Sequence, residues 1–511
     1  MGFSLNIRAF LFLLALSGIG HLLFSLIKKD SESTKWFFFW AAALAAGYLT
    51  RNVWLFAMVI ALLCFYIVYF IGEDGIFIYF ILLPCLPSHT LYEIPSFLPG
   101  VRYLFELTYP RLLAIFLLLP LLFKVVWKKG SSVNNFFSMP LDKLFFVYFI
   151  MISVRMFRGP SFTEATRQAF LCVLDIFLPY YVITRLHQNS KDIKKTFTCI
   201  SYTAVLLALI GFLEKVKSWR LYGGFNDALH LPPSSESVYL YREGSLRVSA
   251  SLGHPIAFGY FLAIGIGILF YLKAIYPKKE IIFYGLLGIF FSTLFFTVSR
   301  GPWVGCAVIL LVLLLFRPRQ ICSFILIAFL IFGFSAPLLL KADTVKHFVN
   351  LLPFAKGDNQ STIDYRIDLL RNSIEVIKMH PWFGSPDYLQ AEQMEEMRQG
   401  QGIIDVVNTY ITVALSVGLT GLVLFAAIFI AAIAEVFVCT LALMRRGQEE
   451  CALIGQTLLA ILAGIVVILG TVSSIAFIPI YYWAMIALSS AYIRISQERW
   501  QFVRQRKWGL E

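Results

Sequence analysis

Stretches of about twenty apolar residues recur along almost the whole chain, and that is the length a helix needs to cross the hydrocarbon core of a bilayer. No other feature narrows the fold as much. Lipid offers no partner for a free backbone group, so spans of this length are helices. Transmembrane barrel strands would read instead as short alternating segments. Composition agrees: of 511 residues, 59% are hydrophobic and 14% charged, against about 25% charged in a soluble domain. The sequence therefore predicts an all-α polytopic membrane protein, a single polytopic domain over 1–511, with roughly 13 to 15 transmembrane helices.

The apolar runs fall near 9–27, 36–50, 52–71, 75–87, 110–127, 142–157, 168–184 and 195–213. They continue near 251–275, 280–299, up to Phe316, 320–340, 407–440, 452–470 and 473–493. The run at 75–87 is short and ends in Pro84-Cys85-Leu86-Pro87, so it is expected to break or re-enter. Around Arg51 the chain reads as two spans or as one. The first run, Ala9 to Ile27, lacks a small-residue cleavage site and reads as an uncleaved span.

A net charge of +13 would suit nucleic acid, but here it serves topology. Lys and Arg concentrate in short loops, where they orient spans and meet anionic headgroups. Lys191 to Lys195, Lys278/Lys279, Arg317/Arg319, Arg445/Arg446 and the basic tail all fall on one side if each run crosses once. That side is expected to be cytoplasmic. The smaller loop at 214–249, the turn at Arg300 and the large loop at 341–405 then share the opposite, extracytoplasmic side. The eight cysteines stand singly and read as small hydrophobes. The chain has no Cys-x-x-Cys, no His-Glu-x-x-His and no P-loop, so neither a metal, a cofactor nor nucleotide hydrolysis is expected.

Chemistry is sought where polar elements converge on that far side. Arg300 sits between two apolar runs. An arginine there serves equally as a snorkelling anchor or as a bidentate holder of phosphate, and the pyrophosphate of a lipid carrier lies at that depth. Arg366 and Arg371 lie in a segment whose Ile367, Leu370, Ile374 and Val376/Ile377 form an amphipathic stripe, as in a helix on the membrane rim. Asp405 precedes an apolar helix carrying Asn408 and Tyr410. Its roles there are N-cap or general base for a sugar hydroxyl. Asn408 is a candidate hydrogen-bond donor to sugar or phosphate, and Tyr410 and His380 stand beside the loop. Gly418 and Gly421 suggest close helix packing.

Together these residues resemble the O-antigen ligase and Wzy-type polysaccharide polymerase superfamily over roughly 247–421. Ser299-Arg300-Gly301-Pro302-Trp303 is similar to that family's Ser-Arg-Gly turn. Arg366-Ile-Asp-Leu-Leu370 is similar to its Arg-x-x-x-Leu element, and His380-Pro-Trp-Phe-Gly384 to its His-Pro-(Leu/Trp)-Phe-Gly signature. Val407-Asn408 followed by Gly418-Leu-Thr-Gly421 resembles its His-Asn-x9-Gly-x-x-Gly motif. The resemblance implies a GT-C-like, metal-independent glycosyltransferase of the bacterial inner (cytoplasmic) membrane with its active site facing the periplasm. Its substrate would be an undecaprenyl-diphosphate-linked oligosaccharide. It implies arginines holding the diphosphate, and the candidate catalytic residues are Arg300, Arg366 and, as the base, Asp405, with Arg247, Arg371, Asn408, Tyr410 and His380 as candidates for binding substrate. Val407 stands where the family has a histidine. On a helix Asp405 and Asn408 would share a face and approximate the missing imidazole. The replacement favours a polymerase of O-antigen or exopolysaccharide over a ligase attaching glycan to lipid A-core in lipopolysaccharide. A transporter, with Asp175 and Glu435 as intramembrane charges, and a non-catalytic component of an export system are the rival readings. Membrane lipids and a chain-length regulator or export protein are the expected partners.

Overall fold

The computed structural model describes residues 2–28, 31–88, 90–96, 103–127, 137, 139–159, 161–231, 240–242, 245–323, 325, 359–398, 404–475 and 477–508. It is a helical bundle. In chain order come α1 (Gly2–Ser25), α2 (Ser31–Leu49), α3 (Val53–Tyr66) and α4 (Gly75–Leu82). A hairpin of β1 (Thr90–Pro95) and β2 (Tyr103–Thr108) leads into α5 (Tyr109–Trp127), α6 (Pro140–Met156), α7 (Phe162–Leu186) and α8 (Ser190–Lys217). A second hairpin, β3 (Tyr241–Arg242) with β4 (Ser245–Leu246), precedes α9 (Pro255–Ile275), α10 (Glu280–Phe296) and α11 (Arg300–Phe316). Then follow α12 (Asn359–Met379), α13 (Thr409–Arg445), α14 (Glu449–Leu469) and α15 (Ile478–Trp508).

Among the described residues, nine helices are long and apolar enough to cross a membrane, and α11 is a shorter apolar one. The chain is an all-α multi-pass membrane protein. Every expected apolar run coincides with a helix except that at 320–340, most of which lies outside the described residues, as does much of the 341–405 loop.

The α3–α4 stretch is one continuous helical segment, Val53–Leu82, by composition, but it crosses and comes back. Gly72 adopts φ 71°, ψ −134°, a conformation that glycine alone reaches without strain. On the near side of that turn Asp74 Oδ2 meets Lys195 Nζ at 3.1 Å. At the far end of α4, Tyr109 donates its hydroxyl to Leu82 O at 2.9 Å, beside the start of α5.

Two ends of the bundle can be told apart by which loops touch. Lys194 pairs with Glu450 at 2.7 Å, Lys195 with Glu32 at 2.9 Å, and Arg494 donates to Thr184 O and His187 O. Arg317 donates to Leu453 O and Thr457 Oγ1. These contacts gather the loops expected to be basic at one end, hereafter the basic end. The hairpin β3–β4, the starts of α9, α11 and α13, and α12 gather at the other.

Close helix contact depends on glycine where α11 crosses α14. A Cβ on Gly305 would collide with Ile468, one on Gly464 with Ile309, and one on Gly301 with Thr471. Small residues let the two backbones touch, as membrane helices require. That approach seats the N-terminus of α11 against residues 471–472.

Candidate functional site

That junction forms one wall of a cavity of about 310 Å3, lined by Arg242, Arg247, Ser299, Arg300, Gly301, Arg366, Val407, Thr471 and Val472 among others. Four arginines from three segments of the chain meet there: Arg242 and Arg247 from the β3–β4 hairpin, Arg300 from α11 and Arg366 from α12.

Each is placed by local chemistry. Arg300 is the first residue of α11, so the orphan amides and positive dipole end of that helix face the cavity with it. The turn that aims it is strained: Val298, β-branched, sits at φ 47°, a region such residues rarely occupy. Arg247 fastens this turn, with Nε donating to Thr297 O at 3.1 Å and Nη2 to Ser299 Oγ at 2.9 Å. Ser299 in turn donates to Thr297 O. Arg242 comes from the neighbouring hairpin, where it pairs with Ser245. Arg366 comes from α12.

The charges are mutually unfavourable in the absence of an anion. Burial, and then the Arg242 charge, bring the Arg247 guanidinium down to about 10. Desolvation and Arg242 lower Arg366 too, offset in part by the attraction of Asp405. Such a cluster gains when an anion binds, because each guanidinium then recovers a counter-charge.

Asp405 stands at the edge of this cluster, exposed, close enough to Arg366 for their charges to interact. Its Oδ1 accepts from Ser473 Oγ, and Tyr365 Oη donates to its backbone carbonyl at 3.3 Å. The expected shared helix face with Asn408 is not formed. Residues 404–408 are non-helical and α13 begins at Thr409. Asn408, not Asp405, is the N-cap: its Oδ1 accepts from Tyr410 N at 2.9 Å and Ile411 N at 3.3 Å. The preference of asparagine for that position explains the boundary. Val407 lines the cavity itself.

The remaining candidates lie elsewhere. Tyr410 is half-buried and donates to Val466 O at 2.8 Å. Arg371 and His380 are exposed and do not line the cavity. Five residues apart on a helix, Arg366 and Arg371 point about 140° away from each other. The α12 stripe also differs from the expected one. Leu369, Ser373 and Val376 are buried, and Leu369 and Val376 pack with Met394, Met397, Val406 and Leu415. Ile367, Leu370 and Ile374 remain exposed, as on a helix whose second apolar face meets a membrane rim.

The two glycine-bearing motifs form one unit. Gly418 does not mediate packing between intact helices. It breaks α13, at φ 81°, ψ −179°. The turn from His380 to Gly384 docks into the break: Leu419 N donates to Pro381 O at 2.7 Å, Ser385 N to Leu415 O at 2.9 Å, and Thr420 Oγ1 to Trp382 O. A Cβ on Gly418 would strike Trp382 O. Arg158 braces the same turn through Phe383 O at 2.9 Å and Gly384 O at 3.2 Å. This dock holds the C-terminus of α12, and so fixes Arg366 over the cavity.

Arg242 escaped the sequence reading. Its signal was the short Tyr-Arg-Glu-Gly-Ser-Leu-Arg stretch, two short arms around a Glu-Gly turn, which marks a hairpin. Beside the site, Phe291, Leu294, Phe295, Trp303, Cys306, Ala307 and Leu310 line an apolar cleft between α10 and α11. The transporter residues are accounted for differently. Asp175 is paired with Arg111 at 2.8 Å, whereas Glu435 keeps a buried Oε2 without a hydrogen-bond partner.

Residues 285–426 are matched by the family model described as O-antigen ligase. The matched stretch contains Arg300, Arg366, Asp405 and both docked motifs. No curated protein matches the chain.

Proposed function

With an O-antigen ligase region at 285–426, the chain falls in the O-antigen ligase/Wzy superfamily, and from that premise we propose that it is a GT-C-type membrane glycosyltransferase. It transfers an undecaprenyl-diphosphate-linked glycan to a sugar hydroxyl on the periplasmic face of the bacterial inner membrane, and polymerisation is favoured over ligation. The observation that carries this reading is the convergence of Arg242, Arg247, Arg300 and Arg366 on one cavity. A diphosphate is the ligand that supplies several acceptor oxygens to such a cluster.

In this reading the arginines and the α11 N-terminus hold the donor's diphosphate, and the apolar cleft between α10 and α11 lies alongside for the carrier chain. The acceptor hydroxyl attacks the anomeric carbon as the bond from that carbon to the phosphate oxygen breaks. Its proton passes to Asp405, and the electron pair leaves with the lipid diphosphate. Charge grows on the leaving group as the bond stretches, so fixed guanidinium groups stabilise the transition state more than the bound donor. Asp405 is the base because Val407 offers no titratable group at the position where the family has histidine. Val407 is also what favours a polymerase over a ligase.

The test is complementation of a strain lacking this chain, comparing wild type with Arg300→Ala, Arg366→Ala and Asp405→Asn at equal membrane abundance. A polymerase loses long surface chains while single repeats persist. A ligase leaves long chains stranded on the carrier. Wild-type polysaccharide from all three variants would sink the assignment.

A further inference from the structure

At the basic end, remote from the arginine cavity, a second cavity of about 360 Å3 opens between α2, the α3–α4 turn and the start of α8. Glu32, Lys35, Asp74 and Lys195 form its polar rim. Lys195 Nζ bridges both carboxylates, 2.9 Å from Glu32 Oε1 and 3.1 Å from Asp74 Oδ2. It also lies 4.6 Å from the Phe77 ring centre. Lys28 Nζ approaches the other Glu32 oxygen at 3.4 Å.

Beyond the rim the wall is aromatic. Phe38, Tyr66 and Phe70 line it while remaining 63%, 48% and 67% exposed. On the outer surface of a membrane bundle, apolar side chains so exposed face lipid. The cavity therefore has a charged mouth at headgroup depth and an apolar wall running toward the acyl region.

The sign pattern at the mouth selects among lipids. A surface built for anionic headgroups carries lysines alone. Here two carboxylates stand among the lysines, which complements a zwitterion. Carboxylates accept hydrogen bonds from an ammonium, and aromatic faces attract the same cation. A quaternary ammonium has no N–H to donate, so the carboxylates favour a primary amine.

We propose that this cavity binds the headgroup of an ethanolamine-type zwitterionic phospholipid. Its ammonium lies on Glu32 and Asp74, its phosphate on Lys35 and Lys195, and its acyl chains along Phe38, Tyr66 and Phe70. The lipid ties α2, the α3–α4 turn and α8 together at the basic end.

Delipidated full-length protein, titrated with short-chain phosphatidylethanolamine, phosphatidylcholine or phosphatidylglycerol and followed by native mass spectrometry, tests this. Wild type is expected to bind the ethanolamine lipid more tightly than either competitor. Glu32→Gln and Asp74→Asn each weaken it roughly tenfold, the loss of one charge-assisted hydrogen bond. Phe70→Ala removes an exposed wall residue whose ring contacts are with the likewise exposed Tyr66 and Tyr69; it weakens lipid binding while the protein still melts cooperatively in bare detergent, which separates site loss from misfolding. Equal binding of the three lipids, preference for phosphatidylglycerol, or unchanged ethanolamine-lipid affinity in Asp74→Asn and Phe70→Ala would overturn the proposal.

Discussion

Gly418→Ala is the most informative single substitution in this chain. The residue sits at φ 81°, ψ −179°, a region open to glycine almost alone, and placing alanine there costs about 1–3 kcal/mol. The added methyl would also strike the Trp382 carbonyl, which belongs to backbone and has no rotamer to yield. The turn must then lift, losing the bonds from Leu419 N to Pro381 O and from Ser385 N to Leu415 O, and that from Thr420 to Trp382 O. At about 1 kcal/mol net for each of the three bonds, strain and lost bonds together reach about 4–6 kcal/mol. Undocking of the turn then becomes roughly 10³- to 10⁴-fold more frequent. Limited proteolysis across 380–390 measures that opening directly, and donor binding reports whether Arg366 leaves the cavity with it. Gly447→Ala is the control: Gly447 also has positive φ, 69°, but open space where a Cβ would go. It should show strain without undocking. If Gly418→Ala resists protease and binds donor as wild type does, the coupling between the turn, the helix break and Arg366 is wrong.

Other outcomes follow from the same geometry. Only protonated Arg247 attracts a phosphate, and it is brought down to about 10 by burial and by Arg242. Donor affinity should therefore fall as pH rises through about 10, and Arg242→Gln, by removing the like charge, should move that alkaline limb upward in a fluorescence binding assay. Asp405→Asn should lower turnover by roughly 10²- to 10⁴-fold with little change in KM, the loss expected for a general base, and adding Val407→His, inside the cavity, should recover part of it. Unchanged turnover would remove Asp405 from the mechanism. Buried Asp142 accepts from Arg185 Nη2 at 2.7 Å, Tyr180 Oη at 2.8 Å and Ser490 Oγ at 2.7 Å. Asp142→Ala should destabilise the bundle by about 3–5 kcal/mol because it removes the carboxylate of a buried ion pair, seen as a lowered melting temperature in detergent.

What the amino-acid order decided by itself was the helical, multi-pass architecture and the gathering of several basic loops at one end. Both follow from one-dimensional rules: an apolar run must be long enough to span lipid, and lysines and arginines gather in the loops at one end. The pairing of Lys194 with Glu450 and of Arg494 with the loop before α8 agrees with those loops sharing an end, although the partners themselves are chosen by packing. The order of the four motifs was equally legible, since each is a short string. The site itself needed the third dimension. Arg242, Arg247, Arg300 and Arg366 span more than a hundred residues of chain, and no local periodicity relates them. They meet because Gly301, Gly305 and Gly464 let α11 press against α14, and because a docked turn holds α12 above the gap. For the same reason Gly418 read as a packing glycine: an apolar helix pattern continues on both sides of it, and what breaks the helix is hydrogen bonding from residues 381–385, more than thirty positions away. Asp405 read as the start of a helix until Asn408 captured the first free amides. Spans are chosen by the solvent along the chain, whereas a binding site is chosen by which distant backbones can approach and satisfy one another.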